Sequence, residues 1–327
     1  MPDVPKAEKF RGCLVGQALG DALGFVVEGR PPETCRRYVE DVLEGGGDIP
    51  FGQYSDDTQL ARELLLSYAE RGRFEPADYA RRIVALFSEG RVVGPGRSTR
   101  AAARRLARGI PWNEAGTPPP AAGNGSAMRA GPIGLLFHDD PEGLVRAATV
   151  QGIITHADPR CSAGAVAVAG AVALALCRCP IEPAAFLARL AELTEGVEPG
   201  FASSLRRLTS WLPLPPDEAA THIAAEGLEH GPETRGIPPF VVGSVLWSLY
   251  SFLKSPDDYR RTIRTAIAAG GDTDTTAAMA GAMSGARLGL AAVPQDLTLH
   301  LTDRGTWGLS ELVRLADECY EIKRSST

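Results

Sequence analysis

Two carboxylates stand two residues apart near the carboxyl end of the chain, in the stretch AAGGDTDTTAAMAG at residues 268 to 281. Asp272 and Asp274 alternate with hydroxyl residues such as Thr275, follow a pair of glycines and precede a run of small residues. Aspartate is common at helix N-caps, so capping is one interpretation of this pattern. The other is that like charges so close together are compensated by a bound cation.

A second acidic motif, YSDDTQ at residues 54 to 59, precedes another helical pattern. Taken alone, Ser55, Asp56 and Asp57 would cap that helix and interact favourably with its dipole. If the two helix starts converge with Glu28, five carboxylates meet, and their repulsion must be relieved by protonation or by cations. Carboxylate and hydroxyl oxygens suit two hard divalent ions such as Mg²⁺, with Mn²⁺ as the alternative, better than zinc.

The segments that must position these carboxylates carry a stripe of glycines. Glycine recurs at every fourth position from Gly12 to Gly24, which places all of these residues on one face of a helix. Gly281 and Gly285, with Ala277, repeat the spacing near the other end of the chain. Since glycine costs a helix roughly 1 kcal/mol relative to alanine, the repetition predicts helices packed closely where side chains would not fit.

Helical periodicity dominates the rest of the sequence, and alternating runs suited to strands are almost absent, so an all-α fold is predicted. The segment 255 to 269 predicts one such helix, with Ser255 at its cap and Gly270 after its end. Neither a composition break nor a repeat of 30 to 50 residues is visible, which favours a single domain over residues 1–327.

Composition argues against two classes of partner. The formal net charge of −6 and the pI near 5.5 disfavour nucleic acid, which requires a concentrated basic face. The longest apolar stretch, residues 161 to 177, is too short to span a bilayer and predicts a buried helix instead. Because the first residues contain no apolar run typical of a signal peptide, we expect a cytoplasmic protein.

Two further motifs have both a structural and a functional interpretation. GNGSAMRAGPIGL at residues 123 to 135 is either a plain turn or a loop whose backbone amides approach a phosphate or sugar. His156, in THADPR, is either a satisfied structural group at a helix start or a residue of a binding pocket.

The DTDTT stretch at residues 272 to 276 also fits the DxDxT signature of phosphohydrolases that use the first Asp as nucleophile. That chemistry takes place at the end of a hydrophobic strand in an α/β fold. Here the preceding TAIAAGG finishes a helical pattern, which disfavours the phosphohydrolase interpretation.

Taken in order, GCLVGQALGDALGFVVEG, YSDDTQ, GNGSAMRAGP, THADPR and GGDTDTTAAMAGAMSGARLG resemble the motifs of the ADP-ribosylglycohydrolase family. They run from residue 12 to about residue 290. The resemblance implies an all-α orthogonal bundle that holds two magnesium ions in a central cleft. It also implies the site residues, which fall into three groups. The implied metal ligands are Ser55, Asp56, Asp57, Asp272, Asp274 and Thr275; the implied catalytic carboxylates are Glu28, Asp56 and Asp57; and the implied substrate-binding residues are Gly94, Gly96, Gly123, Asn124, Gly125, Ser126, Met128 and His156.

Two positions bear on the substrate that the resemblance implies. Gly94 stands where arginine-specific members commonly carry an aspartate, and its glycine-rich segment is similar to that of the serine-linked branch. This favours an O-glycosidic substrate. Ala122 takes the place of an aromatic residue of that branch, so stacking on adenine must come from elsewhere, and Phe240 is a candidate.

The activity implied is magnesium-dependent hydrolysis of the glycosidic bond at C1 of the distal ribose, with release of ADP-ribose. ADP-ribosyl-serine, O-acetyl-ADP-ribose and ADP-ribosyl-arginine remain open as substrates, and Asp56, Asp57 and Glu28 remain open as the general base. A non-catalytic ADP-ribose-binding protein on the same scaffold is the alternative. We expect a monomer, with ADP-ribosylated protein or O-acetyl-ADP-ribose as its partner.

Overall fold

The computed structural model describes residues 6–43, 52–177, 179–229 and 235–326. Within these ranges the chain forms helices and isolated β-bridges but no β-strand, which confirms the all-α prediction. The α-helices are α1 (Ala7–Phe25), α2 (Pro32–Leu43), α3 (Asp56–Arg71), α4 (Pro76–Ser88), α5 (Arg97–Ala107), α6 (Gly131–Leu136), α7 (Pro141–Ile153), α8 (Pro159–Ala175), α9 (Pro183–Glu195), α10 (Pro199–Trp211), α11 (Pro216–Ala225), α12 (Val241–Lys254), α13 (Tyr259–Ala268), α14 (Thr273–Leu288), α15 (Gln295–Thr298) and α16 (Leu309–Ser325).

Helices α1 and α14 lie antiparallel and almost backbone to backbone along the predicted glycine stripe. A Cβ atom added to Gly20 would lie 2.1 Å from the carbonyl oxygen of Ala277, and one added to Gly16 would lie 2.5 Å from that of Gly281. Such distances are far shorter than a carbon–oxygen contact allows, so only glycine permits this approach. The pairing fixes the carboxyl end of α1 against the amino end of α14, where the acidic residues lie.

The helix starts follow ordinary local signals, with one correction to the predicted boundaries. Proline occupies the first turn of α4 and of every helix from α6 to α11, where its missing N–H costs no hydrogen bond. Helix α13 begins at Tyr259, capped by the side chain of Asp258, which accepts a hydrogen bond from Arg261 N. Ser255, predicted as the cap, lies in the preceding turn, because Asp258 offers the α13 amides a closer acceptor.

The structure removes the basis for the phosphohydrolase interpretation. Asp272 follows the carboxyl end of α13, which ends at Ala268, and precedes α14. The DxDxT chemistry requires its nucleophile at the end of a strand, and this aspartate lies between two helices.

Helix α8 and its neighbours form the apolar interior. The predicted buried helix is α8, whose residues from Cys161 to Val172 are all buried. It packs against α6, α7, α9, α12 and α14. No helix in the described part of the chain is long and apolar enough to cross a membrane.

Candidate metal and substrate site

The amino ends of α3 and α14 meet at the carboxyl end of α1. The hydroxyl of Thr273 donates to the carbonyl of Gly24 (2.8 Å), which joins α14 to α1. Asp21, inside α1, accepts from the backbone N–H of Ser55 (2.9 Å) and thereby joins α1 to the start of α3. The convergence that the two acidic motifs required is therefore present.

The carboxylates form two groups that share Asp274. Oxygen atoms of Asp21, Asp57 and Asp274 all lie within 4.8 Å of one another, and so do those of Glu28, Asp272 and Asp274. The aspartates are buried, whereas Glu28 is exposed. Two neighbouring carboxylate sets with one common member are an arrangement that suits a pair of cations.

Asp21 is a carboxylate of the first group that was not predicted from the sequence. Besides Ser55, it accepts from the backbone N–H of Thr58 (3.0 Å) and from the hydroxyl of Thr58 (2.7 Å), and it is fully buried. Both of its oxygens are thus occupied by the first turn of α3, so it supports the helix start that carries Asp56 and Asp57. The available signal was that Asp21 is the only charged residue between Gly12 and Phe25 of the glycine-striped helix.

Two carboxylate oxygens of the centre have no hydrogen-bond partner among the described residues. Oδ2 of Asp57 accepts from the hydroxyls of Ser55 (3.0 Å) and Thr275 (3.3 Å). Oδ1 of Asp57 and Oδ2 of Asp56 are buried without a hydrogen bond from any described residue. A buried acceptor without a donor is costly, and an all-oxygen donor set is what a hard divalent cation binds. The residues present therefore fit such an ion.

Burial and mutual repulsion raise the pKa values of the carboxylates in the centre. Burial, together with the charge of Asp21, raises the pKa of Asp56 to about 7. The pKa values of Asp57 and Asp274 are raised well above the ordinary value, first by burial and then by neighbouring aspartates. The pKa of Glu28 is also raised, by partial burial and by the charge of Asp272. Cations in this centre would remove the repulsion.

Asn124 and the glycine pair orient Asp272. The side-chain amide of Asn124 donates to the Asp272 carboxylate and to the hydroxyl of Ser244. Gly271, with φ of 81°, lies so close to Ile237 that an added Cβ would be 2.2 Å from the carbonyl oxygen of that residue. The backbone N–H of Asp272 donates to the same carbonyl (2.8 Å). The glycine pair thus permits the tight turn that places Asp272 at the centre.

A cleft of about 1280 Å³ opens from this centre and receives most of the predicted substrate-binding residues. The lining includes these predicted residues: Glu28, Asp56, Asp57, Gly94, Gly96, Gly123, Asn124, Gly125, Met128, His156, Asp272, Asp274 and Thr275. Ser126 lies elsewhere, because it is fully buried and its hydroxyl donates to the carbonyl of Cys161 (2.9 Å). Ser55 also lies behind the lining, bonded to Asp57 as described.

Phe240 reaches the cleft next to Ala122. Gly123 and Phe240 form an antiparallel bridge, and Val241 N donates to the carbonyl of Ala122 (3.0 Å). The guanidinium of Arg160 lies 5.6 Å from the centre of the Phe240 ring. An aromatic ring therefore stands beside the alanine that replaces the expected aromatic residue. The segment predicted with it, residues 229 to 239, falls partly outside the described residues.

The fold and site define an all-α protein with a carboxylate centre at the floor of a large cleft, and comparison with known proteins identifies its family. A model of the ADP-ribosylglycohydrolase family matches residues 2–326. A solved structure described as an ADP-ribosylglycohydrolase-related protein complex superposes with a TM-score of 0.73 at 30% identity, covering 97% of this chain and 98% of the other.

Named relatives agree with that assignment. ADP-ribosylhydrolase ARH3 of Xenopus tropicalis is 29% identical, covering 92% of this chain and 93% of its own. ADP-ribosylarginine hydrolase Tri1 of Pseudomonas putida is 32% identical over 46% of this chain and 42% of its own. An uncharacterized protein of Archaeoglobus fulgidus is 33% identical, covering 96% of this chain and 97% of its own. The chain belongs to the ADP-ribosylglycohydrolase family, as its motifs predicted, and membership supports hydrolysis of ADP-ribosyl linkages in general.

Proposed function

We propose that this protein is a magnesium-dependent hydrolase that cleaves the glycosidic bond at C1 of the distal ribose and releases ADP-ribose. The observation that supports it most is the position of Asp274, shared by two carboxylate groups at the floor of a cleft large enough for a dinucleotide-sized ligand. Carboxylates whose pKa values are raised by burial and by neighbouring charges, and which line a cleft, are typical of catalytic centres.

The cation ligands in this proposal are Ser55, Asp56, Asp57, Asp272, Asp274 and Thr275, with Glu28 at the mouth. When bound, two Mg²⁺ ions would supply electrostatic stabilisation and acidify water. Mn²⁺ has the same preference for oxygen ligands and should substitute.

The proton transfers are assigned to carboxylates that line the cleft. Asp56 and Asp57 lie at its floor and are the candidates to take a proton from the attacking water. Glu28 is exposed at the mouth, and its raised pKa suits a group that holds a proton for the departing oxygen. One carboxylate thus accepts a proton from the water and another donates a proton to the leaving group, as in other glycoside hydrolases that use paired carboxylates.

The substrate is proposed to be O-linked, with serine or acetyl as the leaving group. Gly94 has φ of 66° and lies at the cleft beside Phe25 and Ser55, where a Cβ would be 3.3 Å from the Phe25 ring. No carboxylate is available at this position to pair with an arginine guanidinium. Phe240 is proposed as the ring that stacks on adenine.

The test is release of free ADP-ribose from serine-linked peptide, arginine-linked peptide and O-acetyl-ADP-ribose, each with magnesium and with EDTA. We expect magnesium-dependent release from an O-linked substrate, loss of it in Asp272→Asn, and no change in the surface control Asp41→Asn on α2. Release from the arginine-linked peptide alone would contradict the O-linked assignment. Calorimetry that shows ADP-ribose binding without hydrolysis of any substrate would favour the binding-protein alternative.

A further inference from the structure

A buried hydrogen-bond chain behind the cleft ends on the ring of His156. Arg129 is fully buried; its Nε donates to the Gln151 side chain (2.8 Å), and its Nη2 donates to the hydroxyl of Thr155 (2.8 Å). The same hydroxyl lies 2.8 Å from Nδ1 of His156. Gln151 in turn donates to the carbonyl of Ser126 (2.8 Å), which joins the chain to the loop that contains Gly123 and Gly125.

Counting donors along this chain fixes its direction. A guanidinium only donates, so the Thr155 oxygen must accept from Arg129. The single hydroxyl hydrogen of Thr155 is then left to donate, and Nδ1 of His156 is its only acceptor among the described residues. Thr155 is fully buried, so the opposite direction would leave a hydroxyl hydrogen without an acceptor. Nδ1 therefore accepts, and in a neutral ring the proton is on Nε2.

The other edge of the His156 ring faces the loop that contains Gly123 and Gly125. A Cβ added to Gly125 would lie 2.7 Å from Cε1 and 3.2 Å from Nε2 of His156, so the absence of a side chain at Gly125 is what admits the ring. His156 lines the cleft, and its Nε2 bonds to no residue in the described ranges.

We propose that Thr155 and Arg129 are positioning residues that hold His156 as the neutral Nε2–H tautomer, so that the cleft carries a fixed hydrogen-bond donor for a ligand oxygen. The ligand chemistry is a phosphate oxygen or a sugar hydroxyl, because both accept from a neutral N–H. The identity of that ligand as ADP-ribose rests on the proposed function, whereas the tautomer does not.

Electrostatics act in the same direction as the hydrogen bonds. Burial, and after it the charge of the neighbouring Arg129, lower the pKa of His156 to about 3. The ring therefore stays neutral at physiological pH, and its donor does not depend on protonation. An imidazolium would instead need both ring nitrogens to donate, which the Thr155 hydroxyl direction forbids.

Nitrogen-15 NMR of the histidine rings reads the tautomer directly and needs no ligand. His138 supplies an internal control, because its Nδ1 lies 2.9 Å from the carbonyl of Leu135, and a carbonyl can only accept. In one two-bond ¹⁵N–¹H spectrum at pH 7.5, His156 should show the Nε2–H pattern, whereas His138 should show a proton on Nδ1. Spectra of His156→Gln and His138→Gln assign the two rings.

Variants of Thr155 separate positioning from mere packing. Thr155→Ser keeps the hydroxyl and should retain the Nε2–H pattern and the affinity for ADP-ribose. Thr155→Val keeps the shape but removes the donor, so we expect a mixture of tautomers and an affinity about threefold to tenfold weaker, the effect of one hydrogen bond.

The wild-type spectrum decides the matter even if Thr155→Val fails to fold. An Nδ1–H or imidazolium pattern for wild-type His156 would overturn the proposal, and so would an unchanged tautomer and affinity in Thr155→Val. Failure of the wild type to bind ADP-ribose would instead count against the proposed function, while the spectrum still reports on the tautomer.

Discussion

Replacing Asp274 with asparagine should stabilise the metal-free protein while destroying its response to magnesium. Asp274 belongs to both carboxylate groups, so the change removes one negative charge from each. Its Oδ1 accepts from the backbone N–H of Thr275 (2.9 Å), and an asparagine oxygen can keep that bond. Asp274→Asn therefore alters charge with little change of shape.

The expected gain in stability follows from the distances between the carboxylate oxygens of the centre. Two unit charges 4.8 Å apart repel by about 3 kcal/mol at an effective dielectric constant of about 20. Partial protonation of the group relieves some of this repulsion, so we expect a gain of about 1 to 3 kcal/mol in EDTA. For a chain of 327 residues, about 1 kcal/mol corresponds to about 1.5 °C in Tm. Saturating magnesium adds about 2.7 kcal/mol per site at one hundred times its Kd, or about 4 °C per site.

The assay is thermal unfolding of both proteins in EDTA and in millimolar magnesium. Asp274→Asn should melt about 2 to 4 °C above the wild type in EDTA and below it in magnesium, so the order reverses. The control is Asp78→Asn, at a buried aspartate that pairs with Arg71, Arg81 and Arg82 away from the cleft. That variant should melt lower by the same amount in both buffers. A lower Tm for Asp274→Asn in EDTA, or an undiminished magnesium shift, would refute the reasoning.

Two further predictions concern the scaffold and its pH dependence. Gly20→Ala should lower the free energy of unfolding by about 3 kcal/mol or more, because the added Cβ would lie 2.1 Å from the Ala277 carbonyl oxygen. The control Gly196→Ala meets no atom within 4 Å and should leave that free energy nearly unchanged in urea titrations. Equal effects of the two substitutions would contradict close packing of α1 against α14. In the folded state the pKa of Asp21 is raised to about 6 and that of Asp56 to about 7, from the ordinary 3.8. Between the ordinary pKa and these raised values, the native state therefore binds more protons than the unfolded state. Stability in EDTA should therefore fall as the pH rises from 5 to 8 and magnesium should flatten the slope, and a midpoint in urea that rises over that range would contradict it.

The sequence predicted the helical class because helical periodicity is a short-range pattern. It gave the convergence of the acidic motifs only as a condition, which the structure meets. Glycine at every fourth residue has one structural consequence in a helix, and the structure pairs that stripe with Gly281 and Gly285. The acidic motifs precede helices that begin at Asp56 and Thr273, with Ser55 and Asp272 at the caps. In these places the local signal and the tertiary contact agree.

Other features depend on contacts that no local pattern shows. Asp21 is the only charged residue between Gly12 and Phe25, but its role depends on the start of α3, 34 residues away in sequence, which packs against it. Ser126 follows the glycine loop and was predicted to reach the substrate, but the carbonyl of Cys161 on α8 turns it inward. The direction of the Arg129 to His156 chain likewise requires Arg129 to lie within hydrogen-bonding distance of Thr155, which is 26 residues away in sequence.

Anomalous diffraction from crystals grown with Mn²⁺ and ADP-ribose would test the central claim most directly. The account predicts two manganese peaks that share Asp274, one on the side of Asp57 and one on the side of Glu28 and Asp272, with the distal ribose next to them. No peak at the carboxylate centre, or ADP-ribose bound away from it, would contradict the account.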